Sequence, residues 1–335
     1  MPFAIYRQGT PEEMKVKVVR RGRINSRVVL PNGDRVLVQS DLLSADLGPD
    51  NPGPHDPGRD DPAEVPPNDR VVPLTPLRRL YQELRAVNGD RQQKFIAIWN
   101  RLENRNGPQR GLFLNELFKR SCQQMQMYDN AGEHFYGVRP PREENAIHFA
   151  NQLVEFLVLN GADALELDGV FPFEYLDYEI SPIRTTTSCW ENGRAATNSG
   201  AGGMDLLLVT KTNPPQPVVA EIKARTETVG ATFALIQTLT YAAELLTKSQ
   251  MLRLQTHFPE LGAVNSETPQ LGLLVILEGP ITEPEHLIDL RYAIALAGDL
   301  LQYPEIARSI SRIEFAEGNL NGENATLTIL LGDQP

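Results

Sequence analysis

Apolar and polar residues alternate along the chain with a period that changes from region to region. Residues 14–39 contain two alternating apolar runs joined by the sequence P-N-G-D, and Asn-Gly between such runs is the strongest short signal of a β-hairpin. Residues 77–128 place apolar residues at helical spacing, with N-G-D and N-R-N-G-P as breaks. The pattern therefore predicts a small β module and, further along, a helical region.

Beyond residue 136 the pattern switches repeatedly between helix and strand. Residues 142–159 predict a helix, because two prolines precede it, acidic residues open it and Asn-Gly follows it. Strands are predicted at 172–180, 204–210, 218–224 and 271–277, a second helix at 232–246, and a further helix with two edge strands within 282–335. The middle strands are nearly continuous in apolar residues, which is typical of strands buried on both faces. The order α-β-β-β-α-β predicts an α/β fold.

A proline-rich segment separates the β module from the rest of the chain. From Gly48 to Pro76 there are nine prolines and several aspartates, a composition that cannot bury a core and that predicts an extended linker. The predicted organisation is a small β module at 1–47, a linker at 48–76, a helical region at 77–135 and an α/β domain at 136–335.

The composition is that of an ordinary globular protein, with 41% apolar residues among 335. No run approaches the roughly 20 apolar residues of a membrane span, and the N-terminus lacks the apolar core of a secretion signal. We expect a soluble, cytoplasmic protein with no membrane partner. Cys122 and Cys189 form no C-x-x-C pair, so we expect two free thiols rather than a disulfide framework or a zinc ribbon.

Charge is distributed unevenly. The net charge of −11 argues against a protein that coats nucleic acid electrostatically. However, residues 1–46 carry +3 and residues 71–125 carry +6, whereas residues 126–335 carry −16. The basic segments could contact phosphate, or they could be the solvated faces of a β module and a helical bundle. The acidic part could hold a cation.

The segment V-V-A-E-I-K-A-R at 218–225 places two charged residues within a predicted core strand. Glu221 and Lys223 share one face and lie roughly 6.5–7 Å apart along it, which suits two groups that contact a third object better than a tight ion pair. Asp205 opens the preceding strand after a glycine-rich turn. Converging carboxylates repel unless a proton or a cation lies between them, and Mg²⁺ or Mn²⁺ is the natural occupant. The alternative is a solvated edge strand beside a turn aspartate.

Three short motifs occur in order along this region. They are Gly202-x-x-Asp205, Glu221-x-Lys223 and Gln237-x-x-x-Tyr241. This series resembles the PD-(D/E)XK nuclease superfamily, and more narrowly the RecB-type nucleases, over residues of about 140–280. The leading proline of the superfamily motif is absent, and Met204 stands in its place. The resemblance implies a restriction-endonuclease-like αβββαβ core that cuts DNA with a divalent metal.

The resemblance also implies roles for individual residues. Asp205 and Glu221 would bind Mg²⁺ or Mn²⁺, and Lys223 would position or activate the attacking water. Gln237 and Tyr241 would support the site. The first helix would add a metal ligand, for which the candidates are His148, then Glu144 and Glu155.

The function predicted is a Mg²⁺- or Mn²⁺-dependent deoxyribonuclease, with DNA as the expected partner and RNA left open. Two alternatives belong to other classes. One is a non-catalytic nucleic-acid-binding protein that kept the nuclease fold. The other is a protein-interaction scaffold in which the linker tethers two modules.

Overall fold

The chain forms two compact units, Met1–Arg70 and Val71–Pro335. The computed structural model describes residues 3–6, 14–21, 25–29, 35–39, 43–45, 74–103, 110–129, 137–138, 149–160, 173–181, 203–261, 269–321 and 324–330. The division between the units falls within the segment predicted as a linker, of which residues 48–73 lie outside the described residues.

The first unit contains a five-stranded antiparallel sheet. Its strands are β1 (Phe3–Tyr6), β2 (Met14–Arg21), β3 (Asn25–Val29), β4 (Arg35–Gln39) and β5 (Leu43–Ala45). They lie in the order β4-β3-β2-β1-β5. Val29 pairs with Arg35, so strands β3 and β4 flank the P-N-G-D sequence as a hairpin requires. The predicted β module is therefore present as strands.

The second unit contains eight helices among its described residues. They are α1 (Pro76–Arg85), α2 (Arg91–Glu103), α3 (Arg110–Asp129), α4 (Phe149–Asn160), α5 (Ala231–Leu245), α6 (Lys248–His257), α7 (Pro284–Leu300) and α8 (Pro304–Ser309). A short 3-10 turn at Pro259–Leu261 follows α6. None of the helices in the described ranges has the length and apolar character needed to cross a membrane.

A seven-stranded mixed sheet forms the centre of this unit. Its strands are β6 (Gly137–Val138), β7 (Phe173–Ser181), β8 (Met204–Thr210), β9 (Pro217–Lys223), β10 (Leu271–Glu278), β11 (Ile310–Asn321) and β12 (Asn324–Ile329). They lie in the order β12-β11-β10-β9-β8-β7-β6. Strands β9, β10 and β11 are parallel to one another, and the remaining pairs are antiparallel. The α/β class predicted from the sequence is confirmed.

Two apolar clusters lie on the two faces of this sheet. The larger includes the apolar side chains of α1, α5 and α7, together with Val219 of β9. The smaller joins α4 to the other face, which includes Ala220 and Ile222 of the same strand. Every residue of α5 is buried, as expected for a helix that is covered on all sides.

The elements that carry the predicted motifs lie close to their predicted bounds. The strand predicted at 204–210 has those limits, β10 is longer than predicted by one residue at its end, and β9 and α5 are each shifted by one residue toward the N-terminus. The helix predicted from residue 142 is described only from Phe149 onward.

Three features of this unit differ from the sequence prediction. Strand β11 is not an edge strand, because it pairs with β10 on one side and β12 on the other. Helix α6 was not predicted at all. The predicted helical region also belongs to the same compact unit as the sheet, since α1 and α3 both pack against α5.

Candidate functional site

The pairing of β8 with β9 brings the two predicted acidic residues together. Leu206 pairs with Ala220 in an antiparallel register, so the next position sets Asp205 opposite Glu221. The Oδ2 atom of Asp205 accepts a hydrogen bond from the backbone N–H of Ile222 at 2.7 Å. Because side chains alternate along a strand, both carboxylates lie on the face that packs against α5. The structure therefore brings together the two carboxylates that the sequence singled out.

Glu221 and Lys223 form a buried ion pair on the same strand face. The Nζ atom of Lys223 donates to Oε1 of Glu221 at 2.7 Å. Glu221 is 1% and Lys223 is 7% exposed. The expectation that strand spacing would keep these groups from pairing tightly is wrong, because the flexible lysine side chain spans the distance. The second carboxylate oxygen, Oε2 of Glu221, is buried and has no hydrogen-bond partner among the residues that the structure describes.

Both carboxyl groups have raised pKa values. Burial raises the pKa of Glu221 well above its usual value, and repulsion by Asp205 raises it further, while Lys223 lowers it. Burial also raises the pKa of Asp205, against the effects of Lys223 and of the Ile222 N–H, which lower it. The pair therefore resists carrying two negative charges at once, and it favours a proton or a cation between its oxygens.

The lysine is held in its charged form. Burial lowers the pKa of Lys223, but the charges of Glu221, Glu227 and Asp205 together raise it above its usual value. An ammonium group with a raised pKa stays protonated at neutral pH. It can therefore neutralise developing negative charge, but it is poorly suited to remove a proton from water.

The turn after β9 is fixed by residues that sequence reasoning missed. Oε1 of Glu227 accepts from the N–H of Ala224 at 3.1 Å, and its Oε2 lies 4.0 Å from Nζ of Lys223. Arg91 of α2 donates from Nε to the carbonyl of Glu227 at 3.1 Å and from Nη2 to the carbonyl of Arg225 at 2.9 Å. Glu227 lies only four residues after the lysine, so local spacing could have suggested it. No sequence signal connects Arg91 to this turn.

Helix α5 places Gln237 and Tyr241 beside these strands. The phenol of Tyr241 is fully buried and donates to the carbonyl oxygen of Gly203 at 2.9 Å, immediately before β8 begins. Burial raises the pKa of Tyr241, against a hydrogen bond with Gln237 that lowers it. Gln237 is 6% exposed, and its Oε1 has no hydrogen-bond partner. The third motif therefore supports the strand that carries Asp205.

A second buried ion pair lies next to Tyr241. Arg78 of α1 donates from Nε to Oε1 of Glu244 at 3.0 Å, and its Nη2 donates to Oε2 of the same carboxylate. The guanidinium carbon lies 4.8 Å from the centre of the Tyr241 ring. This pair joins helices that are 166 residues apart in sequence, and motif spacing gave no indication of it.

Of the three first-helix candidates, only Glu155 lies within the described residues, and it is not at this site. Glu155 is exposed on α4, and α4 packs on the sheet face opposite to Asp205 and Glu221. His148, Glu144 and the motif glycine Gly202 lie outside the described residues. Among the residues that the structure describes, no group of three or more histidine, cysteine, aspartate or glutamate side chains is placed to hold a metal ion.

The arrangement thus offers two neighbouring carboxylates and a charged lysine on the same face of two interior strands, β8 and β9. One of the carboxylates has an oxygen without a partner among the described residues. Hard oxygen donors of this kind suit Mg²⁺ or Mn²⁺, which usually keep several waters and bind few carboxylates. The ammonium suits an anionic group. Comparisons with protein families, with curated proteins and with solved structures find no match for the chain.

Proposed function

We propose that this protein is a Mg²⁺- or Mn²⁺-dependent nuclease that hydrolyses phosphodiester bonds of DNA. The observation that carries the proposal is the buried, unpartnered Oε2 of Glu221 beside Asp205, on the strand that also carries Lys223. A buried carboxylate oxygen without a partner is costly unless an ion or a donor satisfies it. The order α4-β7-β8-β9-α5-β10, with α6 and a 3-10 turn added before β10, supports a restriction-endonuclease-like core around this site.

The ion would be held by the carboxylates of Asp205 and Glu221. Bound there, a divalent ion supplies Lewis-acid activation and charge neutralisation for phosphodiester hydrolysis. Asp205 is already oriented by the N–H of Ile222, which fixes one oxygen of this carboxylate. Pre-oriented ligands of this kind lower the reorganisation needed for binding.

Lys223 would act as a cation toward the phosphate. Its raised pKa keeps the ammonium charged, and a fixed positive charge in a buried site stabilises negative charge that develops in the transition state. Glu227 and Arg91 would hold the turn that follows, so that the lysine keeps its direction. Gln237 and Tyr241 would keep the start of β8 in place.

DNA cleavage tests this proposal directly. Wild type with Mn²⁺ is expected to degrade linear, circular or single-stranded DNA, and EDTA is expected to stop it. Lys223→Ala is expected to lose at least about 100-fold in rate, the usual effect of removing one electrostatic stabiliser. Lys211→Ala, which changes an exposed lysine in the turn after β8, is the matched control. RNA of the same sequence tests the substrate class.

The proposal fails if wild type and Lys223→Ala degrade these substrates equally, or if neither degrades any of them across salt and metal conditions. Unequal rates that persist in EDTA would contradict the metal dependence.

The near-complete burial of Glu221 and Lys223 favours one alternative, a nucleic-acid-binding protein without catalysis. Under this alternative, Asp205→Ala binds labelled DNA as well as wild type or better, because removing a carboxylate reduces repulsion of phosphate. Fluorescence anisotropy of both proteins, measured beside the cleavage assay, separates the two functions.

A further inference from the structure

Arg78 is held rigidly inside the second unit. Its side chain is fully buried and donates through two nitrogens to the two oxygens of Glu244. The hydroxyl of Thr75 also donates to Oε1 of that carboxylate at 3.3 Å. A two-pronged contact of this type fixes the plane of the guanidinium group as well as its position.

This fixed guanidinium lies against two tyrosines. Its carbon is 4.8 Å from the ring centre of Tyr241 and 5.7 Å from that of Tyr81. Cations within about 6 Å of a ring centre are attracted to the ring. Tyr81 also packs against Phe233 of α5, with ring centres 5.2 Å apart. Arg78 therefore orients both rings from helix α1, which lies outside the motif series.

Each of these tyrosines is coupled to one carboxylate of the site. Tyr241 holds the carbonyl of Gly203, two residues before Asp205, and so fixes where β8 begins. Tyr81 is buried near Glu221: burial raises the pKa of its phenol, and the charge of Glu221 raises it further. The hydrogen bond of Tyr241 therefore links Arg78 to the strand of Asp205, one of the two carboxylates that the proposed function assigns to the metal.

We infer that Arg78 is a positioning residue for this site, acting through Tyr241 on the backbone that carries Asp205. The inference rests on the proposed function, because it concerns the affinity of the Asp205–Glu221 pair for a divalent ion. Lysine could not replace Arg78, since the contact uses a planar fork toward Glu244 and a flat face toward the rings. Helix α1 is thus part of the functional site.

Mn²⁺ affinity, measured by thermal shift on the full chain, separates positioning from simple stabilisation. Arg78→Met/Glu244→Gln removes both buried charges, so no unpaired charge remains to unfold the protein. We expect this variant to bind Mn²⁺ at least about 10-fold more weakly, as is usual when a group that orients a metal ligand is lost. Tyr241→Phe, which loses only the hydroxyl, should show a similar loss.

The decisive measurement is whether Tyr241→Phe and the double variant affect Mn²⁺ affinity independently of each other. If Arg78 acts through Tyr241, adding Tyr241→Phe to the double variant weakens Mn²⁺ binding no further than Tyr241→Phe alone. Arg79→Met, an exposed arginine on the same helix, should bind Mn²⁺ as wild type does. Leu300→Ala opens a cavity in the core on α7, and it should melt lower but keep wild-type affinity.

The inference is overturned if the double variant or Tyr241→Phe binds Mn²⁺ as tightly as wild type, or if the losses add. It is also overturned if Leu300→Ala weakens binding as much, because affinity would then follow stability alone. A wild type that shows no Mn²⁺ shift at all would instead refute the proposed metal site, and with it the inference that rests on that site.

Discussion

Two buried ion pairs among the described residues of the second unit differ in how completely their carboxylates are satisfied. In the Arg78–Glu244 pair, both carboxylate oxygens accept from the guanidinium, and Thr75 adds another donor. In the Lys223–Glu221 pair, one oxygen accepts from the lysine and the other has no partner. Both glutamates are almost entirely removed from solvent.

This difference separates a structural pair from a functional one. A buried carboxylate that is fully hydrogen-bonded is poorly suited to bind a further ligand, because the ligand would have to displace an existing donor. A buried carboxylate with a free oxygen, next to a second carboxylate, is unstable without a cation or a proton. The contrast assigns stabilisation to Glu244 and ligand binding to Glu221.

Breaking the Arg78–Glu244 pair should have the largest effect on stability. Arg78→Met leaves the charge of Glu244 buried and unpaired, and we expect a loss of about 3–5 kcal/mol in the free energy of unfolding. Urea denaturation measures it. The double variant Arg78→Met/Glu244→Gln should recover a large part of this loss, and a double variant as unstable as the single one would show that the charge of Glu244 is not the cause.

Breaking the Lys223–Glu221 pair should lower the free energy of unfolding by a smaller amount, and that loss should depend on pH. Lys223→Met removes the cation that lowers the pKa of Glu221, and we expect a loss of about 2–3 kcal/mol at pH 8. A carboxyl whose pKa is higher folded than unfolded loses stability as the pH rises through that window. The loss of stability of Lys223→Met relative to wild type should therefore be smaller at pH 6 than at pH 8.

Thermal melts in EDTA at both pH values check this expectation. The control is Glu221→Gln/Lys223→Met, which has no carboxyl at that position, so its stability should change less between pH 6 and pH 8 than that of Lys223→Met. A pH-independent deficit in Lys223→Met would contradict the account.

Asp205→Asn should raise the stability of the metal-free protein, whereas the substitutions above lower it. The amide keeps an acceptor for Ile222 but removes the charge that raises the pKa of Glu221. We expect metal-free Asp205→Asn to exceed wild type by on the order of 1 kcal/mol at pH 8, with a smaller gain at pH 5. Melting curves across this range test the sign. Parallel curves for the two proteins would show that Asp205 and Glu221 do not interact.

The exposed ion pair between Lys119 and Glu305 should have the smallest effect on stability. Nζ of Lys119 lies 3.8 Å from Oε1 of Glu305, and both side chains are 43% exposed. Such pairs contribute little because water and salt screen them, so Lys119→Met should change stability by no more than about 0.5 kcal/mol. A loss as large as that of Lys223→Met would mean that burial does not explain the difference between the pairs.

The central strands and α5 could be predicted from the sequence because local pattern determines them. Continuous apolar runs marked β8, β9 and β10, and the alternation of Glu221 and Lys223 with Ala220 and Ile222 gave the correct face. Local pattern failed for β11, since edge or interior position depends on the partner strands that a sequence does not show.

The candidate site was predictable only where its residues belong to short motifs. Asp205, Glu221, Lys223, Gln237 and Tyr241 were found in this way. The contacts of Arg78 with Glu244 and of Arg91 with the turn after β9 join residues 166 and 136 positions apart, and such contacts depend on how helices pack. Direct pairing of Glu221 with Lys223 was missed because backbone spacing says nothing about a flexible side chain.

The central claim, that Asp205 and Glu221 hold a divalent ion, is tested most directly by titrating the full-length chain with Mn²⁺ and counting free ion by electron paramagnetic resonance. Wild type is expected to bind Mn²⁺ at this site, and Glu221→Gln is expected to lose that binding while keeping its fold. A wild type that leaves all Mn²⁺ free, or a Glu221→Gln variant that binds it with equal affinity, would contradict the account.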